Sequence, residues 1–414
     1  MITYGVLSTY PPTQCGLATF SAALLRHLNR PGARRIAGVV RMASAEPLRP
    51  LPPEVVADLR TSDPGAAAAA ATVLNRYDVA IVQHEYGIYG GPEGEQVLDV
   101  LARVRVPVIG VLHTVLGAPS ERRREVLKRV CERCDTVVVL SQTAASRLPE
   151  IYGVAPDRIA VVPHGAETAM EDDPGLLPAA GHHDGTRSRP LLLTWGLIGP
   201  GKGIEWAIDA LAEVDDLPAA PRYVVAGQTH PNVLRTQGEA YREALRARAA
   251  AAGVGPLVEF DARFRGRHDL AALVASADIV ILPYESGEQV ASGVLIEAVA
   301  ARRPIIATSF PHAAELLADG AGLLVPRRDP HAIAQAIRRI LTEPGLADAL
   351  SRRAGQLAPA MDWEAVADRY RVLAARLTAR RDGRAGLERS RVARREAVAG
   401  GGSGAAVLGR QAAG

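Results

Sequence analysis

Short aliphatic runs bounded by turn residues recur through most of the chain. In the first half they are Ile2-Leu7, Ile36-Val40, Val79-His84, Val106-His113, Thr136-Leu140 and Ile159-Val162. Between them lie stretches with helical spacing, such as Ala18-Leu28 and Glu95-Val104. Strand, helix, strand at this cadence predicts right-handed βαβ units on a parallel sheet. The pattern stops at about residue 171, where a polar, Gly- and Pro-rich stretch without period reads as an exposed linker. It resumes with Leu191-Trp195, Tyr223-Ala226, Val258-Phe260, Ile279-Leu282, Ile305-Ala307 and Gly322-Val325, interleaved with helical segments such as Gly238-Ala252 and Ala332-Leu341. Two similar α/β halves follow, each a doubly wound sheet that binds ligands outside the carboxyl ends of its strands.

This partition predicts a first domain over 1–172, a linker over 173–190 and a second domain over 191–360. A further helix is predicted over 361–378, with Trp363, Val366, Tyr370 and Leu373 on one face. Residues 379–414, rich in Arg and Gly, read as a disordered tail. The 414 residues suffice for two cores. No run approaches the roughly 18–20 apolar residues of a membrane span, and the chain opens in a strand-like segment, so the expectation is a soluble, cytoplasmic protein. A net charge of +3 on 48 basic and 45 acidic residues argues against nucleic-acid binding. Cys131-Glu-Arg-Cys134 lacks the second pair of a zinc site; two ordinary helix residues or a thiol redox pair are the readings it leaves. An aromatic content of only 4% leaves the core to aliphatic packing and disfavours an aromatic-lined sugar groove.

Polar motifs cluster after the strand ends. The first strand leads through Tyr10-Pro-Pro-Thr-Gln-Cys-Gly16 into a helix, a loop that can offer N–H groups to an anion or to hydroxyls and that lacks the dinucleotide fingerprint. Two successive strands end in histidines, His84 and His113, with no HxH or HExxH spacing for a metal. In the second half, Trp195-Gly-Leu-Ile-Gly-Pro-Gly-Lys202-Gly203 sets a lysine at a helix start where a diphosphate could meet N–H groups; a solvated lysine beside a tight turn is the plain alternative. Gly203 stands where a Walker A loop requires Ser or Thr. In Ser292-Gly-Val-Leu-Ile-Glu297 a helix start is followed one turn later by a carboxylate able to accept both hydroxyls of a ribose.

Together these motifs resemble the GT-B glycosyltransferases, and within them the large retaining family 4, the glycosyl transferases group 1 type. The likeness covers roughly residues 1–378 and rests on the turn ending at Lys202-Gly203, the SGVLIEA segment, the strand ending in His113, Val162-Pro-His-Gly165 and the Trp-containing last helix. It implies two facing Rossmann-like domains with a cleft between them, the last helix packing back on the first domain. It also implies a nucleotide-diphosphate sugar held by the C-terminal domain, an acceptor on the N-terminal side, and no essential metal or cofactor. Carried over by position, Lys202 would contact the diphosphate, Ser292 and Gly293 would offer N–H groups to it, Glu297 would hold the ribose, Gly16 would lie near phosphate and sugar, and His113 would sit at the sugar.

Two positions depart from the family pattern. Gln289 stands where the first glutamate of Glu-x7-Glu is usual, with Glu288 beside it, so His113, Gln289 and Glu288 are the catalytic candidates. Leu197 replaces the usual phosphate arginine, and Arg263 is the candidate substitute. The implied activity is a retaining hexosyl transfer, of mannose or glucose, to a carbohydrate or lipid-linked acceptor, with peripheral membrane association compatible with the latter. The alternatives are a catalytically silent GT-B nucleotide-sugar-binding or regulatory protein and a GT-B sugar phosphorylase or epimerase.

Overall fold

A computed structural model describes residues 1–30, 32, 34–43, 50–167, 189–214 and 216–400, with side chains to residue 383. The first sheet has seven parallel strands: β1 (Tyr4–Ser8), β2 (Ala37–Ala43), β3 (Val55–Arg60), β4 (Val79–His84), β5 (Val108–Leu112), β6 (Thr136–Val139) and β7 (Ile159–Val161). Their order is β3-β2-β1-β4-β5-β6-β7. The second sheet has six parallel strands: β8 (Leu191–Trp195), β9 (Arg222–Ala226), β10 (Val258–Asp261), β11 (Ile279–Leu282), β12 (Ile305–Thr308) and β13 (Leu323–Val325), in the order β10-β9-β8-β11-β12-β13. Strand order reverses between β1 and β4 in one sheet and between β8 and β11 in the other, and such switch points open the crevices in which these sheets bind ligands.

The central strands read as unbroken apolar runs because helices cover both faces. Every residue of β1 is buried, Tyr4 and Val6 on the face shared with the helix Gly16–Leu28, Leu7 on the opposite face with Ala70, Leu74 and Leu127. In β8, Leu191, Leu193 and Trp195 pack on one side and Leu192 on the other. Each such aliphatic or aromatic side chain contributes roughly 1.5–3 kcal/mol on burial.

β3 is not among the aliphatic runs that the sequence pattern marks. It carries Asp58 and Arg60, and only Val55 is fully buried in it. Asp58 accepts a 2.6 Å hydrogen bond from Arg41 Nη1 of β2, an ion pair almost closed to solvent, and Arg41 Nη2 donates to Thr13 Oγ1 in the loop before Gly16.

The last helix begins at Trp363 and lies on the N-terminal sheet: Trp363, Val366, Tyr370 and Leu377 share one core with Tyr4, Val6, Phe20 and Leu24. It runs through Gly400. Over 379–400 this differs from the expected disordered tail, since the Arg, Ala, Glu and Leu that dominate these residues are strong helix formers that outweigh three glycines. Residues 401–414, and 173–188 of the expected linker, lie outside the described residues. Among the described residues no helix is long and apolar enough to cross a membrane. Cys131 and Cys134 are buried free thiols; burial pushes Cys131 up to about 12 and Cys134 higher, which removes the thiolate that redox chemistry needs.

Candidate active site

The C-terminal side of the site is built at the switch point between β8 and β11. Close backbone approach requires glycine in two places here, one in the turn after β8 and one directly after β9. Gly203 has φ +67, and a Cβ there would lie 1.8 Å from the Pro283 carbonyl oxygen. Gly227, φ +132, brings the end of β9 against Gly196, whose oxygen would be 1.9 Å from a Cβ. These approaches hold Lys202 over the ring of Tyr284, its Nζ 4.4 Å from the centroid. Tyr284 is buried, so the lysine is seated on a fixed apolar platform at the end of β11.

The loop after β11 leads to the helix Gly293–Ala300. Ser292 caps it, its Oγ accepting from Leu295 N–H at 3.2 Å. The Ser292 N–H donates to His312 Nδ1 at 2.9 Å. Ser292 therefore differs from its expected role: its N–H is already committed, and the groups left without a partner among the described residues are the N–H groups of Gly293 and Val294. One turn on, Glu297 Oε2 accepts from Trp195 Nε1 at 2.9 Å, and burial pushes its carboxyl above the usual range. Trp195 thus ties Glu297 to the end of β8 and leaves its second oxygen for a ligand.

The N-terminal side is built at the other switch point. Gly16 starts the helix after β1, with Cys15 as its cap and open space around its Cα. His113 follows β5; its Nε2 donates to Gln83 Oε1 at 2.6 Å, and Phe20 meets it edge-on with centroids 4.9 Å apart. Burial, with His164 and His84 close by, pushes His113 down to about 3. It is therefore a neutral hydrogen-bonding ring near pH 7 and not a cation or an efficient proton acceptor. His164, pushed down by burial to about 4, donates from Nδ1 to the Gly165 oxygen at 2.6 Å. Its Nε2 sits 3.0 Å from where a Cβ of Gly293 would be, so the two domains meet over the helix start.

Three carboxylates tie the domains together around this cleft. Glu288 Oε2 accepts from Gly117 N–H at 2.6 Å and pairs with Arg147 Nη1 at 3.0 Å. Glu315 accepts from the Gln142 and Thr143 N–H groups and from Thr143 Oγ1, each at 2.8 Å, which places its charge on the positive end of the helix Gln142–Tyr152. Glu167 pairs with Arg26 at 2.6 Å and Arg267 at 2.7 Å. Gln289 is half-buried in the same loop, its carbonyl accepting from His312 N–H at 3.2 Å.

Arg263 does not join the Lys202 turn. It stands after the edge strand β10 and is mostly exposed, and its Nε and Nη2 both donate to Asp261 at 2.9 Å, so its charge is spent locally. The structure thus brings together Lys202, Gly293 and Glu297 on one side of the cleft and Gly16 and His113 on the other. Sequence reading misses Trp195 as the partner of Glu297, Tyr284 as the seat of Lys202, and His312, Arg147 and Glu315. None has a local signal, because each partner lies in a distant segment.

Two Rossmann-like domains facing each other across such a cleft define a GT-B glycosyltransferase. The sequence profile described as "Glycosyl transferases group 1" matches residues 189–343, and the one described as "Glycosyltransferase Family 4" matches 16–169. Among relatives, a D-inositol 3-phosphate glycosyltransferase of Acidothermus cellulolyticus is 31% identical over 83% of this chain and 78% of its own length. A glycogen synthase of Mycobacterium tuberculosis is 27% identical over 63% of this chain and 61% of its own. A solved glycosyltransferase from Rickettsia africae covers 91% of this chain and 98% of its own, with TM-score 0.70 and 16% identity. Anabaena HepE in complex with UDP and glucose covers 90% and 99%, with TM-score 0.69 and 17% identity. The chain belongs to the family 4, group 1 glycosyltransferases.

Proposed function

We propose that this glycosyltransferase moves a hexose, glucose or mannose, from a nucleotide-diphosphate donor to a hydroxyl of a carbohydrate or lipid-linked acceptor, with retention of anomeric configuration and without a metal or cofactor. One observation carries the reading: Lys202, the open Gly293 and Val294 N–H groups and the Trp195-held Glu297 all stand at the switch point between β8 and β11. A cation and helix-start N–H groups suit the diphosphate, and a carboxylate one turn on suits the ribose hydroxyls. HepE, solved with UDP-glucose, makes that donor the first to test.

In the reaction the bond between the anomeric carbon and the diphosphate oxygen breaks while the acceptor oxygen bonds to the same face of the sugar. The acceptor proton passes to the departing diphosphate. Gln289 can hold a sugar hydroxyl but supplies no negative charge to an oxocarbenium-like centre, and Glu288 is engaged with Arg147, so the leaving group itself is the base this reading requires. His113, neutral and aligned by Gln83, hydrogen-bonds the sugar. A cytoplasmic site of action, with peripheral contact to a membrane when the acceptor is lipid-linked, goes with this reading.

The test is a donor panel. Incubation with UDP-, GDP- and ADP-sugars should release nucleotide diphosphate for one base and one sugar, and the product anomer, read by NMR, should match the donor's. An inverted anomer overturns the retaining assignment, and tight donor binding with no turnover on any acceptor overturns the transferase reading.

A further inference from the structure

A cavity of about 360 Å³ opens at the ends of β4 and β5, within the range of small-ligand sites. Glu85, Tyr86, Glu93, Thr114, Leu116 and Arg123 line it. Thr114 directly follows His113, and Leu116 precedes Gly117, whose N–H is held by Glu288 of the other domain. One wall of the cavity therefore continues into the cleft where the sugar would lie.

The lining is rigidly made. Glu85 accepts from Thr114 Oγ1 and, at 3.0 Å, from Tyr86 N–H, and burial pushes its carboxyl up. The turn Pro92–Gly94 is pressed onto Tyr86: at Gly94, φ +72, a Cβ would lie 2.7 Å from the Tyr86 oxygen. Glu93 beside it takes φ +54, a backbone conformation costly for a residue with a side chain. From that position its Oε2 accepts from Arg123 Nε at 2.8 Å, while the guanidinium lies 5.5 Å over the Tyr86 ring and the Tyr86 hydroxyl donates to the Arg123 carbonyl at 3.2 Å. Two further arginines nearby are also paired, Arg122 with Glu95 at 2.9 Å and Arg147 with Glu288 at 3.0 Å. A phosphate ester entering here would meet two carboxyls and, among the lining residues, a single cation already paired with one of them, whereas hydroxyl groups would find acceptors in Glu85 and Glu93 and a hydroxyl partner in Thr114.

We propose that at this cavity, on the acceptor side of the cleft, Glu93, by holding Arg123, selects a polyol or sugar acceptor that carries no phosphate. The inference rests on the transferase reading above. It is tested by saturation-transfer NMR on the purified protein with UDP present, using glucose, myo-inositol and their monophosphates as probes, and in parallel by transfer assays with the same compounds. The neutral probes should bind and the monophosphates should bind about tenfold more weakly. Glu93→Gln keeps the turn and the side-chain size but removes the charge that neutralises Arg123, and should move the ratio about tenfold toward the monophosphates. A wild-type preference for the monophosphates, or an unchanged ratio in a folded Glu93→Gln protein, overturns the proposal. Failure of the donor reading shows separately, as absence of nucleotide binding in calorimetry, while the probe ratio still decides the subsite.

Discussion

Arg147 Nη1 lies 3.0 Å from Glu288 Oε2, the same oxygen that accepts from the Gly117 N–H. Glu288 is next to the position at which the family pattern puts a catalytic carboxylate, yet its charge is used to hold one domain against the other. The Glu288 side chain is 43% exposed, so the ion pair is screened and its contribution small. Glu288→Ala and Arg147→Ala should each lower kcat/KM about fivefold, and the double variant should lose no more than either alone. Losses that multiply would mean that Glu288 acts independently of Arg147, through the Gly117 N–H or at the sugar.

Gly203 is the position where backbone geometry most directly builds the C-terminal side of the cleft. Its φ of +67, and the mere 1.8 Å that would separate a Cβ from the Pro283 oxygen, leave no room for a side chain. Gly203→Ala should cost about 3 kcal/mol of stability, from the left-handed conformation and from overpacking together, and should weaken nucleotide-diphosphate binding by displacing Lys202. Urea unfolding with parallel calorimetry checks both, and an unchanged midpoint would refute the argument.

Much of this is readable in the sequence, for a definite reason. Buried parallel strands are short aliphatic runs, and ligand-binding residues of doubly wound sheets follow strand ends, so His113, Lys202 and the Gly293 helix can be placed from local pattern alone. What is not readable depends on pairing across the fold. Asp58 and Arg41 look like solvent-facing charges until β2 and β3 align them into a buried pair. The Trp195–Glu297 bond joins residues 102 positions apart, and the occupation of the Ser292 N–H by His312 depends on two loops meeting. The helical 379–400 segment misleads for a different reason: its glycines and arginines suggest disorder, while its intrinsic helix propensity prevails.

Lys202 and His113 lie on opposite domains and should fail differently. On the proposed reading Lys202→Ala removes the cation that meets the diphosphate and should weaken donor binding by about 10–100-fold with a smaller effect on saturated turnover. On the same reading His113→Ala removes the ring that hydrogen-bonds the sugar and should slow turnover with little change in nucleotide affinity. Calorimetry with the nucleotide diphosphate, beside steady-state rates, separates the two; unchanged affinity in Lys202→Ala would contradict its assignment.

His84 and His312 make the fold sensitive to mild acid. Both are buried, and burial pushes each down from 6.5 to about 4. Neither ring nitrogen of His84 has a hydrogen bond among the described residues, and His312 Nδ1 accepts the Ser292 N–H, a bond that needs that nitrogen unprotonated. Below pH 6.5 the unfolded chain binds protons at these two rings, as it does at His113 and His164, and the folded chain does not. The stability they permit is therefore fully present above about pH 6.5 and declines as pH falls toward 4, with a slope approaching ~1.4 kcal/mol per pH unit for each ring. Glu85 and Glu297, held above the usual carboxylate range by burial, take up protons in the folded state first and so act in the opposite direction at the lower end of this window. Urea unfolding at pH 7.5, 6.5 and 5.5 should show a falling free energy, and His84→Phe should flatten the slope by one proton. A free energy constant over that range would show that these buried rings charge without cost. Because protonated His312 would also release the Ser292 N–H that anchors the Gly293 helix start, donor affinity should decline at the acid end of the same titration.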